Sequence, residues 1–316
     1  MTKLKVLKQA YLPSQLTEKL KEIYDIYEYN ELTSEAFSTL AKEFSIMIAN
    51  GESTVTRELI KSLPSLELIA VFGVGYDGVD IHAAAEHHVA VSHTPGVLTD
   101  DVADLAMGLM LSTSRKIVAA QKFIEAGHWQ AGNFPWTRKV SGSRIGIVGM
   151  GRIGRAIAQR CEGFSMQITY SDHKVIPDVN YPWVKNIADL ASQSDFLMVC
   201  TPGNSENKAL IDEKILKALG SDGILINISR GSVIDESALV NALQQGIIAG
   251  AGLDVFSDEP NVPESLLHCD NVVVTPHMAS ATWSTRMAMS QLVLDNIAKW
   301  VESKALVTPI PEMVAS

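Results

Sequence analysis

The run Ile145-Gly146-Ile147-Val148-Gly149-Met150-Gly151-Arg152-Ile153-Gly154, continuing into Arg155-Ala156-Ile157-Ala158-Gln159-Arg160, constrains this chain more than any other feature. An apolar β-type run enters a Gly-x-Gly-x-x-Gly turn and leaves it in helix-forming residues. The first glycine permits the tight turn, the second lets the backbone approach a pyrophosphate, and the third lets the helix pack closely on the strand. The helix N-terminus then presents unpaired N–H groups and the positive end of its dipole to phosphates. A glycine-rich turn alone is a weak signal, so its surroundings decide. A second strand, residues 167–171, ends at Asp172, 18 residues after Gly154, close to the ~20-residue spacing of the acid that bonds a ribose 2′-hydroxyl. Asp172 favours NAD, because its charge repels a 2′-phosphate. His173 and Lys174 follow it and can attract one, which leaves NADP open.

Around this turn, β-type runs alternate with helix-period stretches, the pattern of parallel sheets covered by helices on both faces. Strands are expected at residues 4–7, 45–49, 66–72 and 89–92, with Leu16, Leu20 and Ile23 forming one face of a helix between the first two. A long helix should begin at Thr99-Asp100-Asp101, a capping hydroxyl with acids at the positive dipole end. Its apolar stripe runs through Val102, Leu105, Ala106, Leu109 and Met110, and it should fade near Ala126-Gly127. Residues 130–143, with Gly132, Pro135, Trp136 and Gly142, read as an irregular arm. A second α/β series begins at Arg144 and runs to about Pro276, and residues 284–304 read as a final helix.

Three strands of the second series deliver ionisable residues. Gly223–Ile228 leads to Ser229-Arg230-Gly231; Ala249–Val255 leads through Phe256 to Glu259-Pro260; Asn271–Thr275 leads to Pro276-His277. Ligands of open α/β sheets bind beyond the carboxyl ends of the strands, so Arg230, Glu259 and His277 are expected to share one cleft with the dinucleotide. The set suits carbonyl reduction. A histidine gives and takes a proton near neutrality, a carboxylate orients the ring and stabilises its protonated form, and an arginine offers forked donors to an α-keto acid. Taken singly, each has an ordinary surface reading; together beside the dinucleotide turn they favour catalysis. The remaining histidines (His82, His87, His88, His93, His128, His173 and His268) read as solvated or capping groups. The three cysteines, and His173 with His277, show no metal-ligand spacing, and Ser205 and Ser280 lack the Gly-x-Ser-x-Gly frame of a serine hydrolase.

Composition closes off other classes. The chain has 316 residues, 47% of them hydrophobic and 20% charged, which is too apolar for disorder and enough for about two domains. Its charge of −10 weighs against nucleic acid or an anionic membrane as partner. No apolar run approaches the roughly 18 residues of a membrane span. The first residues do not read as a signal peptide, and Cys161, Cys200 and Cys269 form no CxxC pair, so free thiols in a reducing cytoplasm are expected.

These motifs resemble the D-isomer-specific 2-hydroxyacid dehydrogenase family over nearly the whole chain. The match is carried by Gly149–Gly154, Ile228-Ser229-Arg230-Gly231-Ser232-Val233-Ile234-Asp235-Glu236, Ala251–Phe256 through Glu259-Pro260, and Pro276-His277 with Ser280-Ala281-Thr282. Val74-Gly75-Tyr76-Asp77 and Thr94–Thr99 resemble the branch of glyoxylate/hydroxypyruvate and hydroxyphenylpyruvate reductases. The resemblance implies an α/β fold: a Rossmann-type parallel-sheet coenzyme domain over residues 98–284, bearing a dimerisation arm, and a flavodoxin-like α/β substrate domain built from residues 1–97 and the C-terminal helix of 285–316. It places the catalytic roles on Arg230, Glu259 and His277. Cofactor contacts fall on Gly149, Gly151, Arg152, Ile153, Gly154, Asp172, Thr201, Pro202, Ile228 and Asp254, the last near the nicotinamide carboxamide. Substrate contacts fall on Val74 and Gly75, whose backbone grips the carboxylate, and on Arg230, Ser280 and Trp136. Trp136 corresponds to an arm residue that reaches the neighbouring subunit's site in a homodimer.

There are departures. Many NADP-preferring members have Ser-Arg or Asn-Arg where this chain has Asp172-His173. Ser165 replaces a glycine common before the second strand, and the extra regulatory domain of many phosphoglycerate dehydrogenases is not expected here. The implied activity is NAD(P)H-dependent reduction of a small 2-keto acid, glyoxylate or hydroxypyruvate first, to the D-2-hydroxy acid, with His277 as general acid/base. The alternatives are an aromatic or other 2-keto acid (hydroxyphenylpyruvate, 2-ketogluconate) or, in another class, a dinucleotide-sensing protein of the corepressor type.

Overall fold

In the computed structural model, which describes residues 3–314, the chain forms two compact units. One runs up to Leu98 and resumes at Ala281; the other spans Thr99–Ser280.

The first unit is built on a parallel sheet of β1 (Lys5–Lys8), β2 (Asp25–Glu28), β3 (Ile46–Asn50), β4 (Leu68–Phe72) and β5 (Ala90–Ser92), in the order β2-β1-β3-β4-β5. This is the flavodoxin-like order. β3 and β4 are buried along nearly their whole length, which is why both read as unbroken apolar runs. β2 has no such run. It is a four-residue, half-buried edge bounded by Asp25 and Glu28, and nothing in its sequence announced it. Of the expected apolar face after β1, Leu16 and Leu20 are fully buried, but Ile23 is 55% exposed, because the helix ends there and the chain turns into β2. The Trp283–Ser303 helix packs on β4 and buries Met289, Val293 and Ile297.

The second unit carries β6 (Arg144–Val148), β7 (Gln167–Ser171), β8 (Phe196–Val199), β9 (Ile224–Asn227), β10 (Gly250–Leu253) and β11 (Val272–Val274), all parallel, in the order β11-β10-β9-β8-β6-β7. The chain direction across the sheet reverses between β6 and β8, so the loops after these two strands flank the switch point where such sheets bind ligands. The Thr99–Ser114 helix lies across β9, β10 and β11 and against the Arg152–Gly163 helix.

The single long helix expected from Thr99 to Ala126 is two helices, Thr99–Ser114 and Ile117–Glu125, separated at Lys116, whose φ of 51° is left-handed. The break has a tertiary cause. The returning arm takes over the helix end, with Arg138 N–H donating to the Ser114 carbonyl (3.1 Å) and Ser114 Oγ donating to the Arg138 carbonyl (3.1 Å). Beyond that point the helix buries no side chain. Ile117, Val118, Ile124, Trp129 and Trp136 are all exposed, Trp136 completely. Among the described residues no helix is long and apolar enough to cross a membrane, and the three cysteines are free thiols, with Cys161 buried.

Candidate active site

The dinucleotide turn follows β6 directly. Gly149 has a φ of 94°, open to glycine at little cost. A Cβ on Gly154 would lie 2.1 Å from the Gly149 carbonyl oxygen, so only glycine lets the Arg152–Gly163 helix close onto the turn. A Cβ on Gly151 would meet nothing within 4 Å, so the second glycine is not required by protein packing and leaves the backbone open there. Arg152 is exposed and Ile153 half-buried at the start of this helix. Asp172 immediately follows β7, and its Oδ2 accepts from the Met150 N–H of the turn (2.8 Å) while Oδ1 accepts from the His173 N–H (2.8 Å). The expected ribose acid is thus tied to the expected phosphate turn. Across the switch point, Thr201 and Pro202 follow β8; the Thr201 backbone lies against Gly149, and Asn207 Nδ2 donates to Thr201 Oγ1 (3.0 Å) and the Pro202 carbonyl (2.9 Å). These features fit a nicotinamide dinucleotide.

The loops after β9 and β10 abut. A Cβ on Gly231 would fall 1.9 Å from the carbonyl carbon of Phe256, so the residue after Arg230 must be glycine for the two loops to touch. Asn227, fully buried, shapes the first loop: its Oδ1 accepts from Ser229 N–H (3.0 Å) and Oγ (2.8 Å), and its Nδ2 donates to the Arg230 carbonyl (2.9 Å). The Arg230 stem rests on Gly203, and its Nη1 donates to the Ser229 carbonyl (2.8 Å). In the second loop Phe256 N–H donates to Glu259 Oε1 (2.9 Å), and the other oxygen, Oε2, lies 2.7 Å from His277 Nδ1. With Nδ1 so occupied, Nε2 is the ring nitrogen that Glu259 does not engage.

His277 has a φ of 47°, a left-handed backbone that costs a residue other than glycine on the order of 1–3 kcal/mol unless its surroundings impose it. They do. His277 N–H donates to the Asp254 carbonyl (2.8 Å), and the wholly buried Asp254 carboxylate accepts from Thr275 Oγ1 (2.6 Å), Met278 N–H (2.9 Å) and Ala279 N–H (3.0 Å). Burial pushes the Asp254 carboxyl above its ordinary range, and these donors act the other way. Asp254 therefore organises the histidine loop, a role the sequence did not suggest. Ser280, half-buried, follows that loop, and Ile228, buried, comes directly after β9. Trp136 stands alone on the arm with its ring in solvent.

Val74 and Gly75 belong to the other unit, in the loop after β4. There His93 departs from its sequence reading as a solvated or capping group. It is buried, its Nδ1 lies 3.0 Å from the Val74 carbonyl oxygen, and its ring packs edge-on against Tyr76.

Residues 107–279 match the family model for the NAD-binding domain of D-isomer-specific 2-hydroxyacid dehydrogenases. The chain belongs to that family. It is 41% identical over 307 residues to hydroxyphenylpyruvate reductase of Plectranthus scutellarioides, covering 96% of this chain and 98% of the relative. It is 38% identical over 312 residues to glyoxylate/hydroxypyruvate reductase A of Arabidopsis thaliana, covering 98% and 100%. The crystal structure of an NADPH-dependent glyoxylate/hydroxypyruvate reductase from Sinorhizobium meliloti, in complex with NADP and malonate, superposes with a TM-score of 0.91 at 39% identity, covering 98% of both chains. This 2-hydroxyacid dehydrogenase accordingly pairs a nicotinamide-dinucleotide domain with a second parallel α/β domain, as its motifs implied.

Proposed function

We propose that this dehydrogenase reduces a small 2-keto acid of the glyoxylate or hydroxypyruvate type to the D-2-hydroxy acid. The observation that carries the reading is the 2.7 Å bond between Glu259 and His277 at the carboxyl ends of the strands that also bear the dinucleotide turn. A carboxylate on one imidazole nitrogen leaves the other to deliver a proton, which is what a carbonyl oxygen needs when its carbon accepts hydride. The names of the relatives support the substrate class.

The Gly149–Gly154 turn, Arg152, Asp172, Thr201 and Pro202 would hold the dinucleotide, which would supply the hydride. The Val74 and Gly75 N–H groups grip the substrate carboxylate. Arg230 bonds carboxylate and carbonyl together and so fixes the keto group. His277 Nε2 gives its proton to the carbonyl oxygen, and Glu259 stabilises the imidazolium beforehand and orients the ring throughout. Asp172 sets a preference for NADH over NADPH. The enzyme works as a cytoplasmic homodimer joined through the long helix and arm around residues 100–143, with Trp136 closing the partner's substrate pocket.

Steady-state kinetics with NADH and NADPH over glyoxylate, hydroxypyruvate, pyruvate, hydroxyphenylpyruvate and 2-ketogluconate test this reading. The expected result is the highest kcat/KM for one of the first two with NADH. Dinucleotide binding without turnover on any keto acid would sink it in favour of a sensing protein, and a preference for hydroxyphenylpyruvate would move the substrate to the aromatic class.

A further inference from the structure

We propose that His93 is a positioning residue for substrate binding, acting through the Val74 carbonyl to aim the Gly75 N–H; the inference rests on the carboxylate grip proposed above. The loop after β4 contains Gly73, Gly75 and Gly78, so its backbone is intrinsically loose and must be held from outside to present donors in a fixed direction. Two consecutive carbonyls of this loop are held. The Gly73 carbonyl accepts from Thr94 N–H (2.8 Å), and the Val74 carbonyl faces His93 Nδ1 (3.0 Å). A peptide unit is planar and trans, so the N–H lies opposite the carbonyl of the same unit. Fixing the Gly73 carbonyl therefore fixes the Val74 N–H, and fixing the Val74 carbonyl fixes the Gly75 N–H. Among the described residues neither N–H donates to a protein acceptor. A carbonyl only accepts, so Nδ1 carries the proton of this contact. A carbonyl that accepts a hydrogen bond also polarises the N–H behind it.

The imidazole is itself braced. His93 N–H donates to the Thr308 carbonyl (3.1 Å), and Thr308 Oγ1 donates to the His93 carbonyl (2.6 Å). Thr308 is held in turn by buried Asn296, whose Oδ1 accepts from Thr308 N–H (3.0 Å) and whose Nδ2 donates to Thr308 Oγ1 (2.8 Å). The Tyr76 ring covers the imidazole edge-on, at 5.4 Å between centroids. A histidine serving only to satisfy a buried carbonyl would give the same contact, so the test must read more than stability.

Two variants separate the roles. His93→Asn places an amide N–H where Nδ1 stands; His93→Phe keeps the ring and deletes the donor. Loss of one such bond should raise the KM for glyoxylate and hydroxypyruvate about five- to tenfold in His93→Phe. kcat and NADH affinity should stay within about twofold, and His93→Asn should recover most of the loss, as expected when only binding of the substrate is touched. Amide hydrogen exchange across residues 73–78 should rise in His93→Phe and not in His93→Asn. Thr308→Val, which leaves the imidazole but loosens its main chain, should give a smaller rise of both kinds and serves if His93→Phe does not fold. An unchanged KM, unchanged exchange, or a parallel fall in kcat and NADH affinity overturns the proposal. If the unmodified protein reduces no keto acid, the reading of function fails, while the exchange experiment still decides whether His93 orders the loop.

Discussion

Two loops of this protein sit in equivalent places, each past the carboxyl end of a strand in a parallel sheet, yet they are built oppositely. The loop after β11 presents a side chain: His277, held at its ring by Glu259 and beneath its backbone by Asp254. The loop after β4 presents backbone: a glycine-rich turn whose carbonyls are held by His93 and Thr94. On the function proposed above, the chemistry of the first would reside in residue identity, and that of the second in the direction of two peptide planes, where residue identity would matter only for what holds them. A side-chain site should therefore be destroyed by a single truncation, and a backbone site should tolerate truncation of its own residues and fail through its supports.

The largest expected effect is at the side-chain loop. His277→Ala should lower kcat by about 10²–10⁴ with NADH affinity intact; near-normal turnover on every accepted keto acid would remove His277 from the chemistry. Next comes its support. Asp254→Asn replaces an acceptor facing buried N–H groups by an amide that must turn a donor toward one of them, a mismatch worth about 1–3 kcal/mol. Reduced thermal stability together with a lower kcat is expected, and an unchanged kcat would mean the loop holds without it.

Strain provides a control. Ser165, exposed, adopts a φ of 54° before β7, where the family commonly has glycine. Ser165→Gly should stabilise the fold by about 1 kcal/mol in denaturant unfolding and leave kinetics alone. A loss of stability there would show that left-handed positions in this chain are not strained, and would weaken the case that His277 needs Asp254. The smallest effect belongs to the backbone loop itself. Val74→Ala should change KM by no more than about twofold, within the range of substitutions that touch no special feature. A large rise would mean that the Val74 side chain, not its peptide, meets the substrate.

Much of this was legible in the residues because the physics was local. The Gly149–Gly154 turn, the acid after β7 and the apolar runs of β3 and β4 each follow from a short stretch of chain meeting one constraint: a tight turn, a charge at a fixed spacing, burial on two faces. Glu259 and His277 were legible as neighbours because strand ends in parallel sheets point one way, and the structure sets them 2.7 Å apart. β2 and β8 went unmarked, the first because a short edge strand carries little apolar signal. The helix from Thr99 was drawn too long because its end is set by Arg138, 24 residues after Ser114.

The sequence by itself determined the family, the parallel α/β architecture and the ionisable groups that follow the strand ends, since each is encoded in neighbouring residues or in the order of strands. Only the tertiary structure decided that Asp254 faces the histidine loop, that Gly231 is where two loops meet, and that His93 is buried under the Val74 carbonyl. These depend on distances between segments remote in the chain, and a buried polar residue takes its role from whichever remote donor or acceptor folding sets before it.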